Sequence, residues 1–290
     1  MLIAGRLLSL ACGPCGCQPG TGYWGILPQI RSHFVGVRYG YYPMRTGHGG
    51  LSERFHYHAA EWWGRFFVHR RIQLLVQAPY NAVFSKSYKQ PQDFWINKGM
   101  GDMRLWLSGV VLETPDTAPV LTRHFLVLGG GLKMPTGTYN RVRGGQLLPP
   151  TLQAGTGSWD WLLSAMYTFR HGRWGVQVAS LTWLAQENPL RYAPSSSFQA
   201  SAVFYYWYRQ GGLSILPQAG ASGEYLTREK NMGLPAENTG GHVVHAVMGC
   251  DVYWNKLALG LSFLWPAAQH LNGGLARLDG RLWAHFSYFF

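Results

Sequence analysis

The last ten residues, Arg281 to Phe290, read RLWAHFSYFF and alternate strictly between two faces. One face is wholly apolar or aromatic and carries Leu282, Ala284, Phe286, Tyr288 and Phe290. The other face carries Arg281, Trp283, His285, Ser287 and Phe289. Because successive side chains of a β-strand point to opposite sides of the sheet, this pattern predicts a strand with one face against an apolar medium.

The same period of two recurs in about twelve segments along the chain. They are 33–43, 53–65, 70–80, 101–112, 123–133, 159–169, 174–185, 198–209, 213–225, 244–254, 256–265 and 281–290. The facing of 174–185 is ambiguous, because Val176, Val178, Ser180 and Thr182 share one face. Short and long connections alternate between the segments, as they do in outer-membrane barrels. We therefore predict an all-β, 12-stranded antiparallel transmembrane barrel.

Composition excludes several other classes of protein. The chain has 290 residues, 13% charged and 15% aromatic residues, 37 glycines and a formal net charge of +12. This apolar and aromatic content excludes a disordered chain. A helical membrane protein needs runs of about 18 apolar residues, and the sequence contains none. No basic patch on a recognition fold is evident, so we predict no nucleic-acid partner.

A bilayer explains the two faces, because every backbone polar group inside it must be paired and the sheet must therefore close. The outward face then meets lipid, and the inward face meets water or other side chains. Trp and Tyr lie near the predicted strand ends, where interfacial girdles occur. The competing fold is a secreted β-sandwich, whose loops would follow no fixed order of length.

Three stretches resemble motifs of a known family. Gly99-Met100-Gly101-Asp102 resembles its G-x-G-D strand start, and Gly129 to Gly137 (GGGLKMPTG) resembles its G-x-K-x-P-T-G strand-to-loop element. Gln153 to Asp160 (QAGTGSWD) resembles its Q-x-G-T-G-S-x-D strand start. Together they resemble the transporter-like outer-membrane barrels of the MetA pathway of phenol degradation. The cysteine cluster followed by YWGILPQ at 23–29 is similar to a branch common in Bacteroidetes.

The resemblance implies an outer-membrane location in a Gram-negative bacterium and a porin-like transporter of a small solute. Phenol-type, aromatic or hydrophobic cargo follows from the family's name alone. The alternative is a non-transporting structural or assembly partner, linked to a metal through the N-terminal cysteines. We predict no enzyme, because Gly155 to Trp159 lacks the final glycine of a nucleophile elbow.

The N-terminal stretch divides into two predicted segments before the barrel at 32–290. Residues 1–11 resemble a partial signal peptide, and 12–31 form a periplasmic segment. Cys12, Cys15 and Cys17 could hold Cu(I) or Zn(II), form a disulfide or include a lipidated Cys12. No other cofactor is predicted.

A polar inner face would supply the candidate functional residues. The pore-lining candidates are Arg38, Arg54, His56, His58, Asp102, Arg104, Asp160, Arg170, Arg209, Glu224, His245, Asp251, Arg281 and His285. Their basic excess would favour anions in a water-filled path. Alternatively, the charges pair into a structural network that fills the lumen. His56 and His58, two apart on one face, could chelate a metal or be polar lining.

Two further partners follow from the ends and loops of the barrel. The terminal aromatic Phe290 resembles the signal that outer-membrane assembly machinery reads. Basic loop residues could pair with lipopolysaccharide phosphates, alongside general contact with membrane lipid. They are Arg45, Lys86, Lys89, Arg141, Arg143, Arg228 and Lys230.

Overall fold

The computed structural model describes residues 32–48, 51–87, 94–115 and 120–290. The predicted signal peptide at 1–11 and the periplasmic segment at 12–31 lie outside these residues. So do Cys12, Cys15 and Cys17, and the metal, disulfide and lipidation alternatives for them remain predictions.

Twelve strands, named β1 to β12 in chain order, build the wall. The first six are β1 (Phe34–His48), β2 (Leu51–His69), β3 (Ile72–Ser87), β4 (Phe94–Met100 and Arg104–Glu113), β5 (Thr122–Lys133) and β6 (Asp160–His171). The last six are β7 (Trp174–Leu184), β8 (Ser197–Tyr206 and Tyr208–Gln210), β9 (Leu213–Leu226), β10 (Gly241–Trp254), β11 (Leu257–Leu271) and β12 (Ala276–Leu278 and Arg281–Phe289).

Each strand pairs antiparallel with its neighbours in the chain, and β12 pairs with β1 to close the sheet. Phe34 lies opposite Phe289 and Arg38 opposite His285 across this closing seam. The closed barrel predicted from the sequence is confirmed, and the β-sandwich alternative is wrong. Closure pairs the edge strands that an open sheet would leave with unsatisfied backbone groups.

The connections alternate in length, as the sequence predicts. At one end, which we call the short-turn end, tight turns join β2 to β3, β6 to β7, β8 to β9 and β10 to β11. At the opposite, long-loop end, the connections carry short strands and two 3₁₀ turns. The short strands are Val142–Arg143, Gln146–Leu147, Tyr192–Ala193, Lys230–Asn231 and Leu234–Pro235. The 3₁₀ turns are Pro150–Leu152 and Asn272–Gly274.

The two faces of the wall differ in character. Large apolar side chains on the outward face are exposed, with Trp159, Trp161, Trp254 and Trp265 each more than half exposed. The inward face is buried and rich in aromatic residues such as Trp106. In the described part of the chain, no helix is long and apolar enough to cross a membrane.

The structure also settles the ambiguous facing of β7. Gln177, Leu181 and Trp183 are buried inside the barrel, whereas Val178 is exposed on the outside. The sequence left this open because both faces of β7 carry mostly small or apolar residues. The buried glutamine and tryptophan identify the inward face.

Candidate functional site

A glutamate between two arginines lies inside the barrel, where strands β1, β2 and β4 face one another. Arg38 Nε donates to Glu61 Oε2 at 2.8 Å, and Arg104 Nη2 lies 2.5 Å from Glu61 Oε1. The carboxylate is fully buried, and each of its oxygens accepts from a different arginine. Buried charges persist when they are paired in this way, because an uncompensated charge is costly away from water.

Tryptophans surround these charges. The Arg38 guanidinium lies 5.3 Å from the ring of Trp63 and 5.1 Å from the ring of Trp283. Arg104 and Lys133 are each 5.8 Å from the ring of Trp183. A cation over an aromatic face gains about 0.5–2 kcal/mol. The tryptophan rings therefore stabilise the paired cations further, and they narrow the lumen at the height of these charges.

Lys133 at the end of β5 forms a second buried cluster. Its Nζ lies 3.0 Å from Asp102 and 2.7 Å from Asp160, and it also donates to Thr156. Asp102 accepts from the backbone N–H of Thr156 at 2.7 Å. Asp160 accepts from Trp183 Nε1 at 2.8 Å. We call Arg38, Glu61, Arg104, Lys133, Asp102 and Asp160 together the charge belt.

The three glycine-rich motifs meet in this Lys133 cluster. A Cβ added at Gly137 would lie 2.8 Å from the backbone carbon of Gly101, and one at Gly155 would lie 2.6 Å from that of Gly137. Glycine is therefore required where these three backbones touch. The side chains of Asp102, Lys133 and Asp160 reach one another because the glycines allow this close approach.

A smaller polar cluster lies nearer the long-loop end. Arg281 Nη1 is 2.8 Å from Glu224 Oε2, and Gln199 Nε2 donates to Glu224 Oε1 at 3.1 Å. A small cavity of about 20 Å³ lies beside them and is also lined by His245. This group joins β8, β9, β10 and β12 across the inside of the barrel.

His285 reaches toward Asp251 across a glycine. His285 Nε2 lies 3.9 Å from Asp251 Oδ1, and Gly260 occupies the strand position between them. A Cβ at Gly260 would lie 2.0 Å from the His285 ring. The same ring packs edge-on against Trp63, with centroids 5.8 Å apart. Gly260 thus allows β12 and β10 to place their polar side chains in one layer.

A larger cavity of about 50 Å³ lies inside the barrel on the short-turn side of the charge belt. Its apolar lining comes from Phe34, Trp63, Leu75, Val127 and Met166. Its polar lining comes from Arg65, Gln73, Ser108 and Ser164. A cavity of this size has room for a few water molecules, and its lining offers both apolar contacts and hydrogen-bonding groups.

Several buried inward atoms find no hydrogen-bond partner in the described part of the chain. Both side-chain amide atoms of Gln77 and of Gln218 are among them, and so are the indole nitrogens of Trp63 and Trp283. Buried polar groups are normally satisfied by protein or by water. Neighbouring side chains cover these atoms, so contact with water or a solute requires those side chains to move.

Most predicted pore-lining residues lie on the inward face. They are Arg38, Asp102, Arg104, Asp160, Arg170, Glu224, His245, Asp251, Arg281 and His285. Arg170 lies apart from the belt, with its guanidinium 4.5 Å from the ring of Trp207. Arg209 is exposed close to the β8–β9 turn and belongs neither to the charge belt nor to the cluster around Arg281 and Glu224.

Three predicted pore-lining residues of β2 require correction. Arg54, His56 and His58 point outward, because the buried residues of β2 have odd numbers and these have even numbers. His56 Nδ1 lies 2.7 Å from the hydroxyl of Tyr41, and His58 Nδ1 lies 2.6 Å from that of Tyr39. Among the described residues, no group of three or more His, Cys, Asp or Glu side chains could hold a metal ion.

The sequence analysis missed Glu61, Lys133 and Arg65, which all point inward. A usable signal existed on β2, because Glu61, Trp63 and Arg65 share one face. Charged side chains are costly against lipid, so Glu61 and Arg65 together should have decided the facing of that strand.

Comparison with family models and with curated proteins gives no match. Among solved structures, the chain is similar to the COG4313 outer membrane channel from Pseudomonas putida F1, with 17% identity and a TM-score of 0.64. The similarity covers 94% of this chain and 99% of that chain. It is less similar to the β domain of the Bordetella autotransporter BrkA, with 11% identity, a TM-score of 0.45, and 89% and 100% of the two chains covered. The protein therefore has the fold of an outer-membrane β-barrel.

Proposed function

We propose that this protein is a channel in the outer membrane of a Gram-negative bacterium, and that it passes a small, partly apolar solute. The observation that carries the proposal is the cavity of about 50 Å³ inside the barrel, whose lining combines apolar and aromatic side chains with hydrogen-bonding groups. Its apolar and aromatic wall would accept a small apolar group. Gln73, Ser108 and Ser164 on the same wall would hydrogen-bond a polar group of the solute.

The charge belt would act as the constriction of this channel. It lies between the larger cavity and the long-loop end, and its charges are already paired within the protein. A solute with a net charge would compete with these pairs, whereas a solute without net charge would pass without breaking them. The amides of Gln77 and Gln218 would supply further hydrogen bonds to the solute once the side chains that cover them move aside.

Within this proposal, we also infer that the protein is related to the transporter-like outer-membrane barrels of the MetA pathway of phenol degradation. This inference rests on the three motifs, which meet at the Lys133 cluster. That cluster fixes the start of β6 and the loop before it, so it supports a shared architecture rather than a shared solute. The mixed lining of the larger cavity supports the solute class independently.

Flux into proteoliposomes tests the proposal. We expect radiolabelled phenylalanine to enter faster than glutamine, because both are zwitterions of similar size and only the former has an apolar ring. Ser164→Phe would fill the cavity and reduce the phenylalanine flux several-fold. Ser180→Phe, on the outward face of β7, serves as the matched control.

Two outcomes would contradict the proposal. Equal entry of both amino acids, unaffected by Ser164→Phe, would leave a channel without preference for apolar solutes. Entry of neither amino acid through folded protein would contradict the channel itself.

One observation favours a second function, a barrel that transports nothing. The charge belt joins β1, β2, β4, β5 and β6 along the inside of the barrel and adds connections that a wide pore would lack. A structural or assembly partner would need such a filled interior. The proposed link to a metal concerns cysteines outside the described residues. The absence of any flux in the experiment above would support this second function.

A further inference from the structure

Three arginines stand side by side on the outward face near the long-loop end. The strand register places Arg45 of β1 directly opposite Arg54 of β2 and directly opposite Arg277 of β12. All three side chains are exposed. The register also places Lys86 of β3 opposite Arg54. We call Arg277, Arg45 and Arg54 the arginine row.

Such an arrangement is unfavourable unless an anion compensates it, because like charges directly opposite on neighbouring strands repel. Asp279 provides part of the compensation. Its carboxylate lies 2.9 Å from Arg45 Nη2 and 2.7 Å from Arg54 Nη2. Arg277 contacts no carboxylate among the described residues. One aspartate against three arginines leaves a positive excess on an exposed surface.

The arginine row lies just beyond an aromatic zone on the same outward face. Along β1, the outward residues toward the short-turn end are Tyr41, Tyr39 and Val37. Aromatic residues with hydroxyls mark the interface between hydrocarbon and headgroups in membrane barrels. The row therefore occupies the level of the headgroups in the leaflet facing the long loops.

We propose that the arginine row binds the phosphate groups of a phosphorylated glycolipid in the outer leaflet. Guanidinium groups bind phosphate oxygens in pairs, and they do so more specifically than lysine. The lipid's acyl chains would lie along Val37 and Tyr39 below the row. This surface lies outside the barrel, so it is independent of the solute that passes inside.

Native mass spectrometry of the folded protein in detergent tests the proposal, with purified diphosphorylated lipid A as the probe. The triple variant R45Q/R54Q/R277Q is expected to bind lipid A about tenfold more weakly than wild type, because charged hydrogen bonds are lost. The matched control, R70Q/R71Q/R209Q, removes three exposed arginines at the short-turn end and should bind as wild type does. Dephosphorylated lipid A should not distinguish the three proteins.

Asp279→Asn separates lipid binding from a purely structural role. Removing this carboxylate raises the positive excess of the row, so lipid A should bind several-fold more tightly. Weaker binding by this variant would mean that the arginines maintain the rim of the barrel rather than bind lipid.

Two further results would overturn the proposal. Equal loss of binding in both triple variants would show a general charge effect. If pyrophosphate binds wild type as tightly as lipid A does, the row is a site for soluble anions.

Discussion

Replacing Glu61 by Gln removes the carboxylate that bridges Arg38 and Arg104. The substitution keeps the shape of the side chain, so the effect comes from charge alone. Both guanidinium groups are almost completely buried, at 6% and 1% exposed, and would then face each other across the lumen. Removing one partner of a buried ion pair costs about 3–5 kcal/mol. Glu61 serves two arginines, so we expect a loss near the upper end of that range.

Urea unfolding in lipid vesicles, followed by tryptophan fluorescence, measures this loss. The exposed Glu237 gives a matched control, and Glu237→Gln should change the free energy of unfolding by less than about 0.5 kcal/mol. The double variant R38Q/E61Q removes one of the two opposed cations, so it should recover part of the lost stability. If Glu61→Gln unfolds within about 1 kcal/mol of wild type, the pairing described for the charge belt is refuted.

Two more substitutions test the glycine contacts and the outward face. Gly155→Ala would place its Cβ 2.6 Å from the Gly137 backbone and should lower the free energy of unfolding by roughly 1–3 kcal/mol. The matched control is Gly109→Ala, whose Cβ would have no atom within 4 Å, and it should lower the free energy of unfolding by less than half as much. Similar losses at both positions, measured by urea unfolding, would contradict the close approach of the three motifs. Val178→Arg puts a charge on the outward face of β7 and should reduce folding into vesicles by about 2–4 kcal/mol. Val142→Arg, on a long loop, should fold as wild type does, and equal folding of both variants would contradict a lipid-facing β7.

The strands were predictable because the wall of a barrel in a bilayer requires side chains to alternate between an apolar outward face and a different inward face. The terminal strand shows this clearly, since Trp283 and His285 lie inside and Phe286 and Tyr288 outside. Prediction of the facing failed on β2, where Arg54, His56 and His58 lie beyond the lipid zone. There both faces can be polar, so polarity no longer identifies the inward side.

The clusters inside the barrel could be predicted only in part. Asp102 and Asp160 were recognised as inward, but their shared partner Lys133 was missed. Lys133 contacts residues about 25–30 positions away along the chain, and only the close approach of Gly137 and Gly155 brings them together. Local alternation contains no information on such distant contacts, so the pairing within the belt required the structure.

Single-channel recording of the refolded protein in a planar bilayer tests the central claim most directly. We predict small, discrete conductance steps, because the charge belt and the tryptophans around it narrow the lumen and only small cavities lie on either side of it. A salt gradient should give only a weak ion preference, since the belt's charges are paired. Folded, inserted protein that shows no conductance steps would contradict the channel and favour a barrel that transports nothing.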